Sequence, residues 1–140
     1  MVQTVILSVR GQQTYPGQEP DVIELVTEGI LENIEDGWQL CYEESELTGL
    51  AGVSTTFRIQ GKTVTLIRSG KLNSQMVFEE GVPHDSLYEM DFGALMLTVC
   101  AIQVDTNLTE AGGTIDLKYS IEVEQNAAGL IDYHLEIRTK

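Results

Sequence analysis

Basic residues are scarce. Eight Lys and Arg stand against 22 Asp and Glu among 140 residues, a net charge of −14. The eight are scattered along the chain. Binding nucleic acid or an anionic membrane surface needs clustered Lys and Arg, so the expected partners include neither. Histidine is rarer still: His84 and His134 lie far apart, without the close spacing of a metal site. Cysteine occurs twice, at Cys41 and Cys100, each inside an apolar run ("WQLCYEE" and "LMLTVCAIQV"). A thiol in such a run serves as a small core hydrophobe, and two isolated thiols make no zinc site. Long apolar runs are missing too. No window approaches the roughly 20 residues of a membrane-spanning helix. Met1 to Arg10 ("MVQTVILSVR") lacks both the basic start and the apolar length of a signal peptide. The expected compartment is the cytoplasm. There is no phosphate-binding loop, nucleophile elbow or EF-hand pattern, and no cofactor is implied.

What is present is a chain long enough for one domain, expected to span residues 1–140, with 42% hydrophobic residues to build a core. Its dominant period is two. In "TIDLKYSIEVE" (Thr114 to Glu124), Ile115, Leu117, Tyr119, Ile121 and Val123 share one face. In "IDYHLEIR" (Ile131 to Arg138), Ile131, Tyr133, Leu135 and Ile137 alternate with polar residues. Such alternation marks strands with one face on a core and one in water. "VSTTFRIQGKTVTLIR" (Val53 to Arg68) reads as a hairpin turning at Gln60-Gly61. That turn sets Phe57 opposite Val64, Thr55 opposite Leu66 and Thr56 opposite Thr65. "DVIELVTEGILENIEDG" (Asp21 to Gly37) fits an amphipathic helix on period alone, with Asp21 and Glu24 as a capping box. Its β-branched residues, Gly29 and the Asp36-Gly37 turn signal argue equally for a strand. Counting the elements gives about eight to ten short strands with short turns and no βαβ alternation. The expected class is all-β, an antiparallel barrel or sandwich, with closure removing exposed edges.

Several runs carry a resemblance. They are "YEESELTGLAGVSTTF" (Tyr42 to Phe57), "LIRSGKLNSQMVFEEG" (Leu66 to Gly81), Tyr88 with Gly93, and "GGTIDLKYSIEV" (Gly112 to Val123). Together they resemble the YwiB-like family of small bacterial proteins of unknown function, nearly end to end. The resemblance implies a single calycin-like, lipocalin-like β-barrel, and it implies a strand at Asp21 to Asn33. Relatives usually carry Thr two residues after the loop tyrosine, where this chain has Met90. The resemblance brings no catalytic residues with it.

Candidate site residues follow from chemistry and position. His84-Asp85-Ser86 invites a hydrolytic reading, but a triad is built from residues that meet in space, and neighbours in sequence point apart. A loop joining two strands is the expectation there. His134 is expected on a solvated face beside Asp132 and Glu136. In Glu43-Glu44-Ser45-Glu46, alternation lets Glu44 and Glu46 converge on one side while Glu43 points away. Arg68 shares the apolar face of Val64 and Leu66, so it must reach solvent, pair with a carboxylate such as Glu44 or Glu46, or meet a ligand anion. In calycin-type barrels an interior Arg often clamps an anionic head group, as the resemblance implies. Gln75, Tyr88 and Tyr119 are expected to add polar groups to the same interior.

Three functions remain in play. The first is a non-enzymatic module binding a small amphipathic or anionic ligand inside the barrel. The second is an enzyme using Arg68 and barrel carboxylates. The third is a structural or regulatory protein whose interior is filled and whose acidic surface meets a partner. A fold alone does not choose among them. The oligomeric state is open, a dimer being one option.

Overall fold

A computed structural model describes residues 2–15, 17–45, 51–90, 93–123 and 126–140, the side chains of residues 127 and 128 excepted. The elements are β1 (Val2–Thr14), β2 (Asp21–Ile34), β3 (Gly37–Glu43), β4 (Val53–Gln60), β5 (Thr63–Gly70), β6 (Leu72–Phe78), β7 (Pro83–Met90), β8 (Gly93–Thr109), β9 (Gly112–Val123) and β10 (Asn126–Thr139). Each strand pairs antiparallel with its neighbours in sequence, and β1 pairs with β10 to close a ten-stranded barrel. The all-β antiparallel barrel expected from period-two alternation is borne out. Closure removes the two end edges of the sheet, although the long strands overhang their neighbours: β2 pairs with β3 only from Ile30 to Ile34, and β8 with β7 only from Gly93 to Cys100. No helix among the described residues is long and apolar enough to cross a membrane.

The disputed segment is a strand. β2 pairs with β1 along twelve positions, from Val2 opposite Glu32 to Gln13 opposite Asp21. Gly29 is explained by crowding. A Cβ there would lie 2.8 Å from Leu7 Cδ1 and 2.9 Å from the Cys41 carbonyl oxygen. The residue that weakens a helix is the one this strand needs.

Turn positions differ from expectation by one residue. Ile34 pairs with Gly37, so the β2–β3 turn is Glu35-Asp36, with Asp36 at φ 64°. Gly37 opens β3 because a Cβ there would meet the Ile59 carbonyl oxygen at 1.7 Å. In the next hairpin Gln60 pairs with Thr63, so the loop is Gly61-Lys62. Gly61, at φ 61°, takes the first loop position, the one where a type II′ turn wants glycine. The register therefore shifts by two: Phe57 faces Leu66, Thr55 faces Arg68 and Thr56 faces Ile67. A shift of two keeps every side chain on its expected face. His84-Asp85-Ser86 is not a loop tip. It lies within β7, where Asp85 pairs with Thr98 of β8.

The wall is uneven. β3 to β7 run seven or eight residues each, whereas β1, β2, β8, β9 and β10 run 12 to 17. The interior is divided along its axis. Toward the β2–β3, β4–β5 and β6–β7 turns, Leu31, Leu40, Phe57, Ile59, Val64 and Phe78 are buried and fill the barrel. Each such side chain contributes about 1.5–3 kcal/mol by leaving water. Toward the opposite end, where the β1–β2, β3–β4 and β9–β10 connections lie, the interior is open.

Candidate functional site

The open end holds a cavity of about 630 Å³. Its wall is apolar above, with Leu25 of β2, Leu97 of β8, Ile121 of β9 and Ile131 of β10. Its polar groups come from a layer lower down. Following the pairing across the short strands, Tyr42 faces Thr55, Thr55 faces Arg68, Arg68 faces Ser74 and Ser74 faces Tyr88. Five polar side chains thus stand in one row on the inner face, a pattern set by alternation on five successive strands.

Arg68 leads this row. Its Nε is buried and has no hydrogen-bond partner among the described residues. Its guanidinium is close enough to act electrostatically on Tyr133, and Tyr133 shares a hydrogen bond with Tyr42, at 3.0 Å between their hydroxyls. Arg68 sits on β5 and Tyr133 on β10, half the ring away, so this chain of contacts spans the interior. The tyrosine rings rest on the filled half below. Tyr133 lies 5.8 Å from Phe57, centroid to centroid, and Tyr119 lies 4.5 Å from Phe78. The result is a polar floor between a packed core and an open cavity.

Charges at the floor are well defined. Burial alone would lower the pKa of Arg68, but Tyr133, Tyr119 and Glu44 together raise it, so the guanidinium stays cationic. Burial pushes the phenols of Tyr42, Tyr119 and Tyr133 above their ordinary value, so all three are neutral hydroxyls at physiological pH. The hydroxyls of Thr55 and Ser74, flanking Arg68, are also buried without partners among the described residues. Unpaired buried polar atoms cost stability, and a row of them next to a cavity is where a ligand or ordered water supplies the missing bonds.

Most of the residues expected from sequence meet here. Arg68, Glu44, Tyr88 and Tyr119 all line the cavity. Glu44 is 8% exposed, and its backbone N–H donates to the Val53 carbonyl at 2.9 Å. Glu43 points the other way and accepts from the Ser54 hydroxyl at 2.7 Å, as alternation predicts. Glu46 lies outside the described residues. Gln75 is a correction: it is exposed on the outer face of β6, because Ser74 and Met76 on either side take the inward positions. Tyr42, Thr55, Ser74 and Tyr133 were missed as site residues. The signal was present for Tyr133, which alternates with Ile131 and Leu135, and for Tyr42, two residues after Leu40.

The His-Asp-Ser trio does not converge. Asp85 faces outward and accepts from Thr98 at 2.9 Å; Ser86 faces inward and donates to the Gln75 carbonyl; His84 meets Glu79 at 3.1 Å. His134 lies on the outer wall, in a row with Arg10 and Asp116. Its hydrogen bond to Asp116 raises its pKa above 6.5, partial burial opposes this, and Glu136 adds to the rise. A raised pKa means folding favours the imidazolium. The resulting stabilisation is complete below the ordinary value and is lost as pH rises through the folded one. The stability difference between wild type and His134→Gln should therefore shrink in urea unfolding over the pH range above the ordinary value of 6.5. A difference constant over that range would remove the pair from the account.

A family model described as a domain of unknown function, DUF1934, matches residues 7–137. Among solved structures, the crystal structure of ywiB protein from Bacillus subtilis superposes with a TM-score of 0.89 and 24% sequence identity, covering 99% of this chain and 93% of that one. The likeness at that identity concerns the fold. No curated protein matches the chain. The YwiB-like resemblance carried by the residue runs is borne out.

Proposed function

The chain belongs to the DUF1934 family, whose description names no activity, and on that premise we propose that it is a non-enzymatic module binding a small amphipathic ligand in the barrel. The observation that carries this is the cavity of about 630 Å³ with Arg68 in its wall, the Nε of that residue buried and without a hydrogen-bond partner among the described residues. The volume falls within the usual range for small-molecule sites, and the lining has their usual composition, apolar walls with a few converging polar groups. Arg68 would take an anionic group of the ligand, with Tyr88 and Tyr119 offering hydroxyls beside it. A closed barrel in which each strand pairs with its sequence neighbours, with a cavity at one end, also supports the calycin-like reading. Cys41 and Cys100, both free thiols, suit a reducing cytoplasm. A filled interior would have favoured the protein-interaction alternative; here filling stops at the polar floor.

Native mass spectrometry of the protein purified from its own host tests this. The expected result is a reproducible extra mass that is released on denaturation. Its absence across preparations, with the bare chain the sole species, would sink the binding reading.

A further inference from the structure

The inner face loses cover steadily from the floor of the cavity to its mouth. On β9, Tyr119 is buried, whereas Ile121 and Val123 are half-buried. On β8, Leu97 is 7% exposed and Leu95 is 38% exposed. On β2, Leu25 is half-buried, Ile23 is 40% exposed and Asp21 is exposed. Val22, Ile23 and Leu95 thus give the mouth an apolar rim that stands in water.

This order decides which end of an amphiphile goes in first. At the mouth, water already solvates an anion, so a head group gains little there. At the floor it meets the guanidinium of Arg68, whose Nε is buried and has no hydrogen-bond partner among the described residues. A tail driven to the floor would instead lay hydrocarbon on a buried cation and leave that donor unsatisfied. The tail cannot pass beyond the head either. Below the floor, Leu40, Phe57, Val64 and Phe78 are buried and fill the barrel. The remaining route runs back past Ile131, Ile121 and Leu97 to the rim.

That route is short. Tyr119 and Val123 are two inner-face steps apart on β9. At about 3.3 Å per residue and a strand tilt of about 40°, the rise between them is about 10 Å. An extended chain of about eight carbons covers that distance. A longer tail emerges at the mouth, where the exposed apolar rim gives it a surface to lie on.

Resting on the binding-module reading, we propose that the ligand is a single-chain anionic amphiphile that enters head first and leaves its far end at or outside the mouth. The barrel then selects for the head and for the carbons nearest it. It sets no limit on total length and accepts a bulky group at the far end.

Isothermal titration of the full chain with hexanoate, octanoate, decanoate, dodecanoate and tetradecanoate tests this. Affinity should rise about threefold per carbon up to about decanoate and then level off, because later carbons are no longer taken out of water. Stearate bearing a nitroxide at carbon 16 supplies the second measurement. It should bind, be displaced by decanoate, and leave its nitroxide open to relaxation by a neutral, water-soluble nickel chelate. A steady gain per carbon through tetradecanoate, or a bound nitroxide shielded from the chelate, would place the tail inside. Either result would overturn head-first entry while leaving the binding module standing. If none of the carboxylates binds, this proposal falls, and native mass spectrometry decides the binding module separately.

Discussion

Arg68→Met should lower the affinity of the barrel for decanoate by about two orders of magnitude, and it should also destabilise the fold. The first effect follows from truncating a buried, charge-bearing contact, which costs about 2–5 kcal/mol. The second follows from what stays behind. Glu44 is 8% exposed and loses the cation acting on it. Removing a buried cation that acts on a nearby carboxylate costs about 2 kcal/mol where cavity water screens part of the effect. Methionine fills the volume of the aliphatic stem, so lost packing contributes little. Adding Glu44→Gln to Arg68→Met should recover part of the loss, because the carboxylate that faced the lost cation is then neutral. The check is a double-mutant cycle by urea unfolding, with titration of decanoate alongside. Additive losses in the double variant would mean that the two side chains act independently.

The sequence was most informative where local pattern decides structure. Alternation in the 114–124 and 131–138 segments placed Tyr119, Tyr133, Leu135 and Ile137 on the inner face, and all four lie there. Inwardness of Arg68 survived an incorrect hairpin register because the error was a whole side-chain period. The turns were harder. Asp36-Gly37 and Gln60-Gly61 look like turn dipeptides, but the requirement for glycine at position 37 comes from Ile59 on a neighbouring strand, a contact with no local signature. β2 was undecided for a similar reason. Its outward residues Val22, Glu24, Val26, Glu28 and Ile30 mix apolar and acidic types, which blurs the inward set of Leu25, Gly29 and Leu31.

The site was legible residue by residue but not as an arrangement. Arg68, Glu44, Tyr88 and Tyr119 were found from their own chemistry and faces. Gln75 failed because a polar residue on a half-buried strand carries no sign of which face it takes unless its neighbours are read first. Ser74 and Met76 settle that, being the buried pair. The row from Tyr42 to Tyr88 depends on the registers of four hairpins at once. An offset of two in any one of them breaks the row. That row, rather than any single motif, separates the packed half from the open half.

Phe57→Ala tests this division directly. Phe57 is fully buried among the residues that fill the closed end, and its ring supports Tyr133 at 5.8 Å. Truncation there leaves a hole that a rigid ring of ten strands cannot collapse to fill, so the expected cost is about 3–5 kcal/mol. Ile121 has a comparable apolar side chain but stands on the cavity wall, partly buried, with open space on one side. Ile121→Ala removes fewer contacts and creates no new enclosed void, so about 1 kcal/mol is expected from the area it buries. Urea midpoints compared at constant m-value distinguish the two. Similar losses at both positions would mean that the open half is packed as tightly as the closed one. A further difference is expected in binding. Phe57→Ala withdraws support from the Tyr133 ring and so loosens its hydrogen bond with Tyr42 and its placement beside Arg68. Affinity for decanoate should therefore fall in Phe57→Ala even though residue 57 lies below the floor, a consequence that follows if the floor is one mechanically connected layer.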